Sequence, residues 1–504
     1  MSVSVFRAGG NGYRENTTSL NLCCEACSKD SPKCKGWFVP RGNASGKGAA
    51  GETADHCVLL DHRPEPLRRH NQTEYCVGAT PPAWLPPPPE LAASIRDALA
   101  QHLQKALRTS PKGSAPGLSG TRFEHLRSVL CRSDAFPAFV EVCTRVASGD
   151  CPPFIRDMLA TGKAIALRKT RGVRPLVAHE PLRRLITRAL IAQEKASVQR
   201  YLGPRQFGVG TEGGAEAMHK CADVAAQTHP GYYFFKLDMA NAFNRQGRAG
   251  FIGGLRECAP ALACFLAQFY SRDSTYKFRL ASGAFVPLRA AEGVEQGDPA
   301  GPIGFAVGFH PELSAFRSHL EALARPLGLP VFVLAYADDV IVGVPPALVD
   351  YVLPAASAIF GRAGHIVHVH EEAKVALWSP ASPPPEGPRH FWQPHGFKVV
   401  GGPLSTRSDL TLAEEQCTAT LEKADDQCVA LLRLVEAAPA GWCRVQVALL
   451  LLRFCVLPRF DFLSRCIAPD VARRFAEEFD QLIVATCARL LHIVDHMDEP
   501  TVAA

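Results

Sequence analysis

Two aspartates, Asp338 and Asp339, lie side by side in the apolar stretch VLAYADDVIVGV at residues 333–344. A buried carboxylate is costly, and two neighbouring carboxylates repel each other. Valine and isoleucine on both sides favour a β-hairpin with the two aspartates at its tight turn. A divalent cation such as Mg²⁺, which prefers carboxylate oxygens, would balance the paired charges. A solvated Asp-Asp turn is the alternative interpretation.

A third carboxylate, Asp238, follows a second apolar stretch in the sequence YYFFKLDMANAFNR. Two metal ions held close together need several carboxylate ligands, and two strand ends that face each other in a sheet can supply them. We therefore predict a metal site formed by Asp238, Asp338 and Asp339.

Between these carboxylates lies the sequence AEGVEQGDPAGPIGFAVG, which contains Gly297, Gly301, Gly304 and Gly308. Its glycines and prolines predict a loop that leads into a helix. Small residues in such a loop let the backbone approach a ligand closely. An ordinary glycine-rich loop is the alternative.

The N-terminal part has a different composition. Closely spaced cysteines and three N-x-[ST] sequons, at Asn16, Asn43 and Asn71, occur in the first 80 residues, and this pattern favours a disulfide module over a zinc site. Only one Cys-x-x-Cys pair is present, whereas structural zinc sites generally use two. Unpaired thiols are a further alternative. The disulfide candidates are Cys23, Cys24, Cys27, Cys34, Cys57 and Cys76.

The order of these cysteines resembles the PAN/Apple family, small modules that bind proteins or carbohydrates. We therefore predict a PAN/Apple-like module at residues 1–79. Six prolines between Pro81 and Pro89 predict an extended spacer. Leucine or isoleucine then recurs every four residues from Leu91 to Leu107, which predicts an amphipathic helix. Spacer and helix together make up residues 80–109.

Beyond residue 110 the pattern is that of an α/β or α+β protein. The clearest predicted strands are YYFFKLDM, VFVLAYADDVIVGV and HIVHVH (residues 365–370). A second proline-rich segment, residues 379–389, predicts an exposed loop, and helical spacing from about residue 410 predicts an all-helical tail.

Length and composition are those of an ordinary globular protein. The chain has 504 residues, enough for two or more domains, with 47% hydrophobic and 21% charged residues. Its net charge, 55 − 49 = +6, is a mild basic bias that is compatible with a nucleic-acid partner. We see no signal peptide after Met1, and the most apolar run, residues 445–452, is too short to span a membrane.

Five motifs now form an ordered set, namely KLDMANAFNR, EGVEQGDPAGP, AYADDVIV, EEAKVALW and FKVVGGPL. With the upstream segments APGLSGTRFEHLR and KTRGVRPLVAHEPLRRLITRAL, this set resembles the reverse transcriptases, most closely those of non-LTR retrotransposons. The resemblance runs from about residue 110 to 490. It implies an α+β right-hand polymerase, with fingers at 110–232, an antiparallel-sheet palm at 233–404 and a helical thumb at 405–504.

The resemblance also implies the chemistry of an RNA-directed DNA polymerase. Asp238, Asp338 and Asp339 would bind two Mg²⁺ ions, for which Mn²⁺ is a possible substitute, and Lys374 would lie near the leaving pyrophosphate. The other implied sites are nucleotide-binding residues Lys169, Arg174, Phe243, Gln296 and Gly297, and primer-binding residues Gly401 and Gly402. Phe243 would act as the aromatic gate that excludes a ribose 2′-hydroxyl.

The expected partners are an RNA template, a DNA primer, deoxynucleoside triphosphates and a separate endonuclease. We expect the protein to act in the nucleus or cytoplasm, without association with a membrane. Two alternatives remain open. The first is an inactive retroelement relic that keeps the motif without the chemistry. The second is a recognition protein led by the N-terminal module, which the cysteines and sequons favour.

Overall fold

The computed structural model describes residues 84–168, 173–368, 374–437 and 443–492. Of the N-terminal part it describes the backbone of three short strands. Cys23, Cys24, Cys27, Cys34 and Cys76 therefore lie outside the described residues, as does Lys169, and only the backbone of Cys57 is described.

The fold is mixed α+β, as predicted. Its strands are β1 (Val3–Ser4), β2 (Trp37–Arg41), β3 (His56–Leu60), β4 (Gly162–Arg168), β5 (Val173–Ala178), β6 (Tyr233–Leu237), β7 (Ser274–Arg279), β8 (Phe285–Ala290), β9 (Phe332–Tyr336), β10 (Asp339–Val344), β11 (Ala376–Trp378), β12 (Phe397–Val399) and β13 (Gly402–Leu404). The helices are α1 (Pro89–Thr109), α2 (Phe123–Arg127), α3 (Ala135–Ala147), α4 (Pro153–Ala160), α5 (Pro181–Leu202), α6 (Gly214–Thr228), α7 (Ala242–Arg245), α8 (Arg248–Cys258), α9 (Pro260–Tyr270), α10 (Gly301–Ala324), α11 (Val352–Arg362), α12 (Thr411–Ala437), α13 (Arg444–Leu451), α14 (Pro458–Cys466) and α15 (Pro469–Leu491).

The chain forms two compact units, each assembled from separate segments. The first unit contains the described residues of Met1–Gly210, Met239–Phe316 and Ala355–Val367, and the second those of Thr211–Asp238, Arg317–Pro354 and His368–Ala504. The division into fingers, palm and thumb remains a prediction.

The first unit combines a four-stranded sheet, in the order β5-β4-β7-β8, with several helices. In this sheet β4 pairs antiparallel with β5 and parallel with β7. Helix α1 begins at Pro89, a favourable first helical residue, directly after the extended Pro88. Its stripe packs against α5, and Ile95, Leu99 and Leu107 are fully buried, which confirms the predicted amphipathic helix.

The second unit contains an antiparallel sheet in the order β11-β6-β10-β9. Strand β6 is central, and its aromatic residues Phe234 and Phe235 are buried. Helix α6 packs on β9. The antiparallel sheet predicted around the carboxylates is therefore present.

The tail of the second unit is helical, as predicted. Its helices α12 to α15 bury a common apolar cluster that includes Cys428, Phe460 and Phe479. The rings of Phe460 and Phe479 stack at 5.6 Å between centroids. Ala424, Cys428 and Leu431 of the predicted helical pattern face this core.

One predicted strand, HIVHVH, is wrong over its described residues. Val367 forms a single bridge to Met239 and no strand. The physical reason is the end of α11, where Gly364 adopts a φ of +83° and the His365 N–H donates back to Phe360 O at 3.1 Å. This turn takes up the His365 N–H, so that extended pairing within the described residues is limited to Ile366–His368, where the Ala240 N–H donates to Ile366 O at 2.8 Å and the His368 N–H donates to Asp238 O at 3.1 Å.

The proline-rich segment at residues 379–389 is a loop, as expected, and it leads into a short 3₁₀ turn at Arg389–Phe391. In the part of the chain that the structure describes, none of the helices is both long and apolar enough to cross a bilayer.

Candidate metal centre

The paired aspartates lie at the turn of the β9–β10 hairpin, as predicted. Tyr336 pairs with Asp339, so that Ala337 and Asp338 form a two-residue turn between the strands. Ala337 has a φ of +52°, a left-handed conformation that side chains other than glycine rarely adopt. The turn keeps both aspartates half-buried at the end of the sheet.

Strand pairing brings Asp238 to the same end of the sheet. In the antiparallel register, Val340 of β10 lies opposite Leu237 of β6. The next residues toward the turn are Asp339 on β10 and Asp238 beyond β6. Residues at such opposed positions have neighbouring side chains, so the register places Asp238 beside Asp339.

Basic side chains of the second unit surround these carboxylates. Lys374 Nζ lies 3.0 Å from Asp238 Oδ2, and His368 Nε2 lies 3.8 Å from the same oxygen. Lys236 Nζ lies 3.9 Å from Asp339 Oδ1. The predicted contact partner of pyrophosphate, Lys374, is thus close to a predicted metal ligand.

The electrostatic environment of Asp339 is that of a carboxylate with incomplete compensation. Burial raises its pKa above the ordinary value, and the nearby charge of Asp238 adds to the rise. Lys236 and Lys374 oppose this rise without cancelling it. A further positive charge near Asp339 would therefore be favourable.

The chemistry of the donor set fits a divalent cation, because Asp238 and Asp339 lie side by side where the strands end and Asp338 lies in the adjoining turn, all three half-buried. Their ligand atoms are not gathered as tightly as those of a formed site. In the described residues, the one group of three whose ligand atoms all lie within 4.8 Å of each other is His179, Glu295 and Asp298.

The predicted primer-binding glycines lie at a second hairpin, between β12 and β13. Val399 pairs with Gly402, so Val400 and Gly401 form the turn, with φ values of +42° and +98°. A Cβ on Gly402 would lie 2.7 Å from His219 Cδ2, so this position requires glycine for close packing.

The predicted nucleotide-binding residues that are described belong to the first unit. Arg174 is exposed on β5. Phe243 is half-buried and stacks on Phe305 at 4.8 Å between ring centroids, so its ring has a packing role there. Gln296 and Gly297 lie in a loop before α10.

The sequence did not lead us to predict two of the basic residues near the carboxylates, Lys236 and His368. Lys236 lies two residues before Asp238, and alternation along a strand could have placed both on one face. His368 gave no such signal, since the strand predicted for it does not form.

No family model matches the sequence, and no curated protein matches it. Similar solved structures exist. One is telomerase from Candida albicans in complex with a TWJ fragment of telomeric RNA, with 10% identity over 68% of this chain and 60% of that chain and a TM-score of 0.36.

Another is apo telomerase from Candida tropicalis, truncated from its C-terminal domain. It shows 13% identity over 45% of this chain and 51% of that chain, with a TM-score of 0.33. The chain thus spans 60% and about half of the length of these two structures. The likeness to these telomerase structures is distant and carries no argument about activity.

Proposed function

We propose that this protein is an RNA-directed DNA polymerase of the reverse-transcriptase type, which extends a primer 3′-hydroxyl with deoxynucleoside triphosphates. The observation that supports this most directly is the register of β6 and β10, which brings Asp238 beside Asp339 from segments about 100 residues apart. The ordered sequence motifs give the same three carboxylates. An interaction with an RNA template and a DNA primer follows from the proposal.

In this proposal Asp238, Asp338 and Asp339 hold two Mg²⁺ ions, or Mn²⁺ in their place. When bound, such ions activate the hydroxyl nucleophile and stabilise the charge of the leaving pyrophosphate. Lys374, at 3.0 Å from Asp238, orients this carboxylate and adds positive charge for the pyrophosphate. The exposed guanidinium of Arg174 suits a triphosphate contact, and Phe243 is proposed to select deoxynucleotides.

The same proposal assigns the α12–α15 helices to a thumb that contacts the duplex backbone, and the β12–β13 turn, with Gly401 and Gly402, to primer contact. Residues 110–232 would be the fingers and 233–404 the palm. A separate endonuclease would supply the nick from which synthesis is primed.

Primer extension tests the proposal. Purified full-length protein is given an RNA template annealed to a DNA primer, Mg²⁺ and deoxynucleotides, beside the double variant D338A/D339A. We expect D338A/D339A to incorporate deoxynucleotides at least about 100-fold more slowly than wild type, since misplacement of reacting groups by 1 Å alone costs that much. The double variant D425A/D426A is the matched control, because it removes an exposed Asp-Asp pair on α12.

Extension by wild type and D425A/D426A, with none by D338A/D339A, would support the proposal. Equal extension by all three proteins would show that the hairpin aspartates do not carry the activity. If none extends the primer although all are folded by circular dichroism, the chain is an inactive relic.

A further inference from the structure

The first unit contains a buried polar network centred on Arg183 of α5. Both the Arg183 and His179 side chains are at most 1% exposed. Arg183 Nη2 donates to Glu295 Oε2 at 2.8 Å and to Asp298 Oδ2 at 2.6 Å. His179 Nε2 lies 2.6 Å from Glu295 Oε2, and the Tyr270 hydroxyl donates to the same oxygen at 2.9 Å.

Every carboxylate oxygen of this network has a donor. Glu295 Oε1 accepts from the Tyr276 hydroxyl, and Asp298 Oδ1 accepts from the Ala300 N–H at 2.9 Å. Burial opposes ionisation of Glu295, yet His179 and Arg183 hold its pKa well below the ordinary value. Glu295 is therefore charged, and the guanidinium takes the place that a metal ion would need among His179, Glu295 and Asp298.

The network includes both ends of a short loop, because Glu295 and Asp298 flank Gln296 and Gly297. The flanking side chains are buried, whereas Gln296 is half-buried and Gly297 is exposed. The two buried carboxylates thus fix the loop at both of its ends and leave its tip accessible.

Backbone contacts fix the same loop further. The Val177 N–H of β5 donates to Gln296 O at 2.8 Å, and the Val294 N–H donates to Phe243 O at 2.8 Å. Gly297 has a φ of +114°, and a Cβ there would lie 2.5 Å from Val177 O. Only glycine permits this close approach of loop and strand.

We propose that Arg183 and His179 are positioning residues that act through Glu295 and Asp298 to fix the Gln296–Gly297 loop for contact with the incoming nucleotide and template. The nucleotide contact rests on the proposed function, whereas the fixing of the loop stands without it. A buried ion network is an inefficient way to stabilise a fold, since apolar residues of similar volume often do as well or better. Because the network holds both ends of an accessible loop, its role is to fix the position of that loop.

The variant Glu295→Gln tests the proposal, with Glu194→Gln as matched control. Glu194 lies on α5, the helix of Arg183, and is partly buried. Its carboxylate accepts hydrogen bonds from the Ala261 and Leu262 N–H groups at 2.9 and 3.0 Å, away from the loop. Burial raises the pKa of Glu194 to about 7, so glutamine closely mimics its protonated form.

Two measurements are made on the full chain. In primer extension, Glu295→Gln should raise KM for deoxynucleotides by roughly 10- to 100-fold with a smaller change in kcat, the size expected for displaced contact groups. In amide hydrogen exchange without substrates, it should speed exchange at residues 296–301. Glu194→Gln should alter neither.

Equal KM values and equal loop exchange in the two variants would overturn the proposal and leave the network a purely structural role. If wild type extends no primer, the proposed function fails, while hydrogen exchange still decides whether the network fixes the loop. If Glu295→Gln does not fold, Tyr276→Phe removes a single donor to Glu295 and should produce the same two changes at smaller size. Unchanged exchange in Tyr276→Phe would then overturn the proposal.

Discussion

Two clusters of acidic residues in this protein solve the same electrostatic problem in opposite ways. Glu295 and Asp298 are fully buried and carry their own cation, the Arg183 guanidinium, at 2.8 and 2.6 Å. Asp238 and Asp339 are half-buried, and the nearest ammonium groups, of Lys374 and Lys236, lie at 3.0 and 3.9 Å and are partly exposed.

The two clusters therefore differ in whether their cation can be exchanged. A guanidinium enclosed with its acceptors cannot be replaced without a large loss of stability, because an uncompensated buried charge is strongly destabilising. Flexible, hydrated lysines can move away when a metal ion arrives. Charge density alone would favour the buried cluster as a metal site, whereas accessibility favours the hairpin carboxylates, where the proposal places the ions.

The largest expected effect comes from removing the cation of the buried cluster. Arg183→Met removes the guanidinium that both buried carboxylates share, and we expect the free energy of unfolding to fall by about 3–5 kcal/mol. Urea denaturation followed by circular dichroism measures it. Arg188→Met on the same helix, which loses one weak hydrogen bond of 3.5 Å to Thr109, is the control.

The corresponding change in the hairpin cluster is Lys236→Met, for which we expect less than about 1 kcal/mol, as for other partly exposed ion pairs. Equal losses of stability in Arg183→Met and Lys236→Met would break the distinction between the two clusters.

The second expected effect is stabilisation by a divalent ion. Binding to the folded state alone at ten times the dissociation constant adds about 1.4 kcal/mol. Mg²⁺ or Mn²⁺ should therefore raise the midpoint of thermal unfolding of wild type and of D425A/D426A, and leave D338A/D339A unchanged. An equal rise in all three proteins would place the ion elsewhere than on the hairpin.

The smallest expected effect is on stability. Replacing an acid by its amide should change the free energy of unfolding with opposite sign in the two clusters. Because the pKa of Asp339 is raised in the folded state, its stability contribution is lost as pH rises from the ordinary value, 3.8, through the raised one. Without metal, Asp339→Asn should thus stabilise the protein at neutral pH, by no more than about 1 kcal/mol after screening. The gain should vanish at acid pH.

Glu295→Gln should do the reverse. The pKa of Glu295 is lowered, so its contribution is present above 4.5 and is lost as pH falls through the lowered value. Denaturation of both variants in EDTA between pH 3 and 8 measures the two signs. Destabilisation by Asp339→Asn at neutral pH would contradict the description of the hairpin carboxylates as incompletely compensated.

Local patterns in the sequence were sufficient to predict the features that local chemistry determines. The β9–β10 hairpin followed from β-branched residues on both sides of Asp338 and Asp339, and α1 followed from its four-residue repeat. The strand predicted at HIVHVH failed over its described residues because alternation cannot reveal that the turn after α11 includes His365 and leaves only Ile366–His368 for extended pairing.

The buried network could not be predicted, because its members come from the segment between β5 and α5, from α5, α9 and β7, and from the loop before α10. Arg, Glu and Asp are usually solvated, and nothing in the spacing of Arg183 and Glu295, more than 100 residues apart, marks them as partners. The sheet with parallel strands β4 and β7 was missed for the same reason, since a long stretch of chain separates them.

The central position of β6 has a consequence for synthesis of the chain. Its neighbours β10 and β11 both follow it in the sequence, with β10 beginning about 100 residues later. At ribosomal rates of 5–20 residues per second, the strand YFFKL waits roughly 5–20 s for its first partner. During that interval two strand edges and three aromatic side chains are open to wrong association, so the nascent protein should depend on chaperones until the hairpin with Asp338 and Asp339 has been made.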